Sequence, residues 1–273
     1  TGFVYWGEVG PDAGEDGEGR GPRGHDEVNQ AREAGFFGWP LFVGDNKAYH
    51  RYDFGTKTSG EKNDPENPLN DSPNNTGIQN LPPAQKAFIW YPYAESEEFP
   101  LTGKGGRNAM AGSVYHASDY KGEYRLPEYY DGKLFAYDWM RGWINPVTMN
   151  EKGDYQGMET FMPNTEFNNI MDLLIAKDGR IYMLEYGTLW FSKNEDARLV
   201  RIDYHRGNIP PKAVIEVDKK TGSVPLTIQF SAAKSRDADG DDLTFSWKFD
   251  SEAEFQAFEA EPSFTFEKAG IYT

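Results

Sequence analysis

The chain has 273 residues, enough for one large domain or for a large and a small one. Its 28 Lys and Arg stand against 44 Asp and Glu, a net charge of −16, which argues against nucleic-acid or anionic-membrane partners, since both need a basic face. There are no cysteines, which removes disulfides, thiolate zinc sites, thiol nucleophiles and covalently attached c-type haem, and no apolar run approaches the ~18 residues of a membrane span.

The first strand candidate is Phe3-Val4-Tyr5-Trp6. Trp6 to Tyr49 then opens with Gly, Pro and acidic residues, which favour turns over helix or strand. Glu8, Asp12, Glu15, Asp16 and Glu18 crowd together, and Gly21-Pro22 leads into Gly24-His25-Asp26-Glu27. Carboxylates beside Gly and Pro carbonyls offer the hard oxygen ligands Ca²⁺ takes; a solvated acidic loop is the plainer reading of the same composition. Asp26 to Ala34 has room for at most a turn or two of helix. Residues 50–86 keep no hydrophobic period among their Gly and Pro and read as a long loop or insertion, with sequons at Asn70 and Asn74.

Strand character returns at Ala87–Tyr91 and Ala109–Tyr115. Gly132–Trp139 and Gly142–Met149 read as partners, and 169–175 and 179–186 flank a tight Lys177-Asp178-Gly179 turn, a hairpin signal. Ala197–Tyr204 alternates apolar with charged residues at period two. Short strands with Asp-Gly turns and almost no helical period predict an all-β chain, a propeller or a sandwich. Gly207–Pro211 is a linker by composition, so the predicted domains are 1–207, a linker at 208–212, and 213–273. In the last, 213–217, 226–230, 243–249 and 263–266 alternate as strands of an antiparallel sandwich. The chain starts without Met and ends at Gly270-Ile271-Tyr272-Thr273, which reads as mid-strand, so an internal piece of a longer protein is expected.

The order Gly21-Pro22, Asp26-Glu27, Phe37-Gly38-Trp39-Pro40 resembles the soluble pyrroloquinoline-quinone (PQQ) sugar dehydrogenases, the glucose/sorbosone dehydrogenase family, and the resemblance runs to about Asn208. It implies part of a six-bladed β-propeller, with PQQ and Ca²⁺ as cofactors, a carbohydrate substrate, and a separate electron acceptor such as a cytochrome c. In that family the backbone carbonyls of a Gly-Pro pair hold the Ca²⁺. Two pairs compete here: Gly21 and Pro22 by spacing to Asp26 and Glu27, Gly10 and Pro11 by the preceding Glu8. Glu27, with carbonyls near Phe37 and Val43, is implied as the ligand of a second, structural Ca²⁺; the family's further carboxylate falls at Lys47, with Asp45 as its substitute.

Arg141 stands about where the family places a lysine against the quinone's carboxylates, and reads equally as an exposed strand-end arginine. Two further arginines expected before the Asp172 strand are replaced by Asn169 and Met171; Asn168 and Asn169 retain hydrogen-bonding capacity without charge. The family's base histidine would lie upstream, and of the four histidines here only His25, beside Asp26, invites a catalytic reading. The Asp237–Asp242 turn followed by Phe245-Ser246-Trp247-Lys248-Phe249 resembles a PKD-type immunoglobulin-like module, cut before its last strand. Together the resemblances imply a fragment of a secreted or periplasmic bacterial sugar dehydrogenase. The alternative, favoured by the missing arginines, is a non-catalytic carbohydrate-binding or scaffolding propeller that has lost its cofactor.

Overall fold

A computed structural model describes residues 2–249 and 254–272. The strands in chain order are β1 (Val4–Glu8), β2 (Asp26–Ala31), β3 (Phe42–Val43), β4 (Lys47–Ala48), β5 (His50–Asp53), β6 (Thr58–Lys62), β7 (Ile89–Tyr91), β8 (Ala109–Val114), β9 (Leu134–Asp138) and β10 (Ile144–Met149). They continue as β11 (Tyr155–Met158), β12 (Ile170–Ile175), β13 (Ile181–Glu185), β14 (Arg198–Ile202), β15 (Glu216–Val217), β16 (Leu226–Ser231) and β17 (Ser263–Phe266). Every pairing between these strands is antiparallel, and the described helices are short 3₁₀ turns, so the all-β expectation holds. The strands fall into two compact units, Thr1–Tyr204 and His205–Thr273.

In the first unit, sheets β1-β2-β7, β11-β10-β9-β8 and β12-β13-β14 follow one another along the chain. Strand β8 lies against β1 and β2 of the first sheet and β12 of the third, so the middle sheet is packed on both sides. Val28, Ile89 and Tyr91 meet Leu134, Ala136 and Val147 in one core, while Phe135, Tyr137 and Ile144 meet Ile170, Leu173, Ile181 and Met183 in the next. Leu134, Ala136 and Val147 thus serve one core while Phe135, Tyr137 and Ile144 serve the other, as the period of two requires. This explains why β9 and β10 are buried on both faces.

Several expectations are corrected. Asp26–Ala31 is a strand, not helical turn: it is the middle strand of its sheet, paired with β1 on one side and β7 on the other, and tertiary pairing overrides its polar composition. The 50–86 stretch contains the hairpin β5-β6, invisible to periodicity because Thr58–Lys62 is exposed along its whole length. In the second unit, sheet β15-β16-β17 closes over Trp247, Phe249 and Phe266. Residues 243–249 alternate in burial as expected, but among the described residues their backbone pairs at the Trp247–Ala257 bridge alone and forms no strand. Gly270–Tyr272 is likewise not a strand, and Thr273 lies outside the described residues.

Ile144, fully buried between the middle and third sheets, is a direct probe of this packing. Ile144→Ala is expected to cost about 2–5 kcal/mol, read as a fall in the urea unfolding midpoint.

Candidate functional site

The acidic loop between β1 and β2 organises the first unit and is anchored by the head of β2. The Asp26 side chain is 0% exposed and pairs with Arg107, itself 1% exposed, at 3.1 Å. Its Oδ1 also accepts the Gly10 amide at 3.0 Å, and its Oδ2 the Ala109 amide at 3.2 Å. Arg107 extends further, donating to the Pro11 carbonyl at 2.8 Å. Burial outweighs the guanidinium and these donors and pushes the Asp26 carboxyl up to about 6.

The two Gly-Pro pairs are both built into this arrangement. A Cβ on Gly10 would lie 1.9 Å from the His25 carbonyl oxygen; one on Gly21, at φ 132°, would lie 2.8 Å from the Tyr49 ring. Glycine is therefore demanded by close approach at both positions. The Pro11 carbonyl already accepts Ala13 and Arg107, and the Gly21 carbonyl accepts the Gly17 amide at 2.8 Å.

Glu27 points to the other face of β2. It accepts the Gly44 amide at 2.5 Å and Asn29 Nδ2 at 3.3 Å, and it stands directly across from Glu8 in the β1-β2 register. Glu8 shares the same Asn29 nitrogen at 3.0 Å. Burial is the first cause that raises both carboxyls, Glu27 to about 7. Asp45 forms an ion pair with Lys47, which occupies it with a cation of the chain's own. Among the described residues no group of three or more His, Asp or Glu side chains is placed to hold a metal ion. His25 is buried with Nδ1 2.9 Å from the Arg23 carbonyl, and burial pulls its imidazole below the ordinary value, so it serves the loop's structure.

Arg141 is neither exposed nor available. Its guanidinium donates to the carbonyls of Pro92, Thr102, Gly103, Gly105 and Gly106 at 2.7–3.1 Å, and it lies 4.8 Å over the Tyr91 ring. Its main-chain amide caps Asp138 at 2.7 Å, and Asp138 also takes the Tyr91 hydroxyl at 2.7 Å. Asn168 and Asn169 sit instead on the third sheet, where their carbonyls accept the Gly187 and Tyr186 amides at 3.2 and 2.9 Å. The structure thus joins Gly10, Pro11 and Asp26 in one network and places Asn168 and Asn169 in another. A quinone bearing several carboxylates needs free cations, and neither Arg141 nor Arg107 is one, because their donors are committed to carbonyls and to Asp26.

Arg107 was not legible as a functional residue, since Gly103-Lys104-Gly105-Gly106-Arg107 reads as a turn; its only signal is a cation two residues before an apolar strand begins. Also unforeseen is a cavity of about 890 Å³ under the β5-β6 hairpin. Its wall includes Gly21, Pro22, Trp39, Tyr52, Phe54 and Asn63. Trp39 is 46% exposed and Phe54 78%, while Arg20 lies 4.0 Å over the Tyr52 ring.

Residues 208–273 match the model of the PKD domain, so the second unit is a PKD domain that begins within the predicted linker. PKD domains are typical of extracellular or surface proteins, and no helix among the described residues is long and apolar enough to cross a membrane. A comparison with curated proteins found no match.

Two outcomes test the site's electrostatics. Arg107→Ala leaves Asp26 buried without its cation and is expected to cost about 3–5 kcal/mol, whereas Asp26→Asn/Arg107→Met costs less than the sum of its single changes in chemical denaturation. Glu27 is raised from its ordinary 4.5 to about 7, so folding favours its protonated form. That contribution is complete below pH 4.5 and is lost as pH rises through 7. In the presence of a chelator, Glu27→Gln is therefore expected to stabilise the chain at pH 8 and not at pH 4, by up to about 3 kcal/mol, measured as unfolding free energy against pH.

Proposed function

We propose that the first unit is a carbohydrate-recognition module of an extracellular or surface protein, with the cavity under the β5-β6 hairpin as its sugar site. The observation that carries this is the cavity wall, where Trp39 and Phe54 expose aromatic surface beside the Asn63, Thr58 and Ser59 polar groups. A sugar ring offers C–H groups on its face and hydroxyls around its edge, so an apolar platform rimmed by donors and acceptors complements it. On this reading the three consecutive antiparallel sheets are blades of a propeller that acts by binding, and the PKD domain is its companion on the cell exterior.

A second reading is the PQQ- and Ca²⁺-dependent sugar dehydrogenase, passing electrons to a separate acceptor such as a cytochrome c. Gly21 and Pro22 on the wall of this same cavity favour it. The commitment of Arg141 and Arg107 weighs against it, and the non-catalytic reading is preferred.

Trp39→Ala is expected to weaken binding of a soluble hexaose (cellohexaose, maltohexaose or chitohexaose) by about tenfold in calorimetric titration, with unfolding free energy changed by no more than ~0.5 kcal/mol because the side chain is half exposed. Equilibrium dialysis of the same chain with PQQ and Ca²⁺ is expected to show no retention; saturable retention that depends on Gly21-Pro22 restores the dehydrogenase reading.

A further inference from the structure

The loop joining β13 to β14 presents Trp190 and Phe191 side by side, 51% and 93% exposed, with ring centroids 5.4 Å apart. It is not a loose excursion. Asn194 Oδ1 accepts the Leu189 amide at 2.9 Å, and its Nδ2 donates to the Tyr186 and Leu189 carbonyls, each at 2.9 Å. Asp196 accepts the Thr188 amide at 3.0 Å. From below, Trp139 meets Trp190 edge to face at 4.8 Å and packs on Tyr186 at 5.6 Å.

Two features have no structural use within the chain. Phe191 is held at φ 47°, a left-handed conformation that bulky side chains avoid, while its ring is turned to solvent. Strain kept at an exposed aromatic gains nothing for the core, and such strain concentrates where ligands are held. The Trp139 indole N–H is buried and has no hydrogen-bond partner among the described residues, and its ring lies against Trp190.

The groups around this ledge select the ligand's chemistry. Asn168 and Asn169 stand at its root, bonded through their carbonyls to Gly187 and Tyr186, and bring neutral amides that both donate and accept. The loop's Asp196 carboxylate is taken up by the main chain. The loop's exposed Lys193 and Glu195 offset one another in charge, and an apolar ring face with neutral donors and acceptors beside it suits an uncharged polyhydroxylated ring. Stacked nucleobases are disfavoured by a chain of net charge −16, because their phosphates need cations. We propose that Trp190 and Phe191 form a glycan-stacking ledge on the third sheet of the first unit. This rests on the carbohydrate reading of that unit but on no residue of the cavity.

The test uses the full chain, titrated with cellohexaose, maltohexaose and chitohexaose while tryptophan fluorescence is followed, alongside Trp190→Ala, Phe191→Gly and Trp39→Ala. At least one hexaose is expected to give a saturable change, weakened about tenfold by Trp190→Ala. Phe191→Gly is expected to weaken binding several-fold while raising the melting temperature, because glycine relieves the left-handed strain; a residue that only filled space would not separate the two readouts. Binding that Trp190→Ala and Phe191→Gly leave intact overturns the ledge. If Trp39→Ala alone abolishes that binding, the cavity stands without the ledge; loss in Trp190→Ala with none in Trp39→Ala leaves the ledge and removes the cavity. No response to any hexaose at millimolar concentration overturns both.

Discussion

The buried Asp26–Arg107 pair is the constraint on which the arrangement of the first unit depends. One carboxylate receives the Gly10 amide, the Ala109 amide and the Arg107 guanidinium, which in turn holds the Pro11 carbonyl. These contacts join the organising loop, the head of β2 and the start of β8, the strand that also meets the third sheet. A pair this deep contributes little net stability, because removing two charges from water costs nearly what their attraction returns. Its effect is specificity: any register that separates the partners leaves a naked charge in the core.

The same device recurs along the chain with different residues. Asp138, at the end of β9, is fully buried and receives the Asn108 and Arg141 amides together with the Tyr91 hydroxyl. Glu185, at the end of β13, receives the Asn168 amide and pairs with Arg198. Each of the three sheets therefore carries a buried carboxylate that organises the loop beside it. Burial raises the pKa of Asp138 as it does that of Asp26, so the loops at these positions are held at a cost in solvation that their amide donors offset.

Much of the fold was legible in the sequence, and for an identifiable reason. β9, β10, β12 and β13 are strands whose burial is written in their apolar residues, and the Lys177-Asp178-Gly179 turn set the register between the last two. The PKD domain was legible from the alternation around Trp247, although only one residue of that run pairs. β2 was not legible, because Asp26-Glu27-Val28-Asn29-Gln30 carries polar side chains into the interior where partners await them from distant positions. The surroundings of the candidate-site residues were hidden for the same reason. Glycine at 10 and 21 meets a steric demand set by His25 and Tyr49, contacts that no local pattern announces. Tyr52 and Phe54 join Trp39 in one wall only because the β5-β6 hairpin carries them there, and nothing in residues 50–86 announces that hairpin.

Arg141 gives the loop it holds a particular freedom. Its five partners are main-chain carbonyls, which every amino acid supplies, and none of the loop's own side chains takes part. Much of the path of 92–106 is thereby set from outside it, by Arg141 together with Trp143 and Asn145, which donate to the Thr102 and Leu101 carbonyls. Apart from buried Phe99 and Thr102 and the Ser96 hydroxyl that takes the Phe99 amide, such a loop is free to drift in sequence over generations, gaining or losing charge and bulk at its surface while its path stays fixed. Position 141 is the least replaceable of these anchors, since lysine, with one nitrogen, cannot reach carbonyls spread around a planar fork.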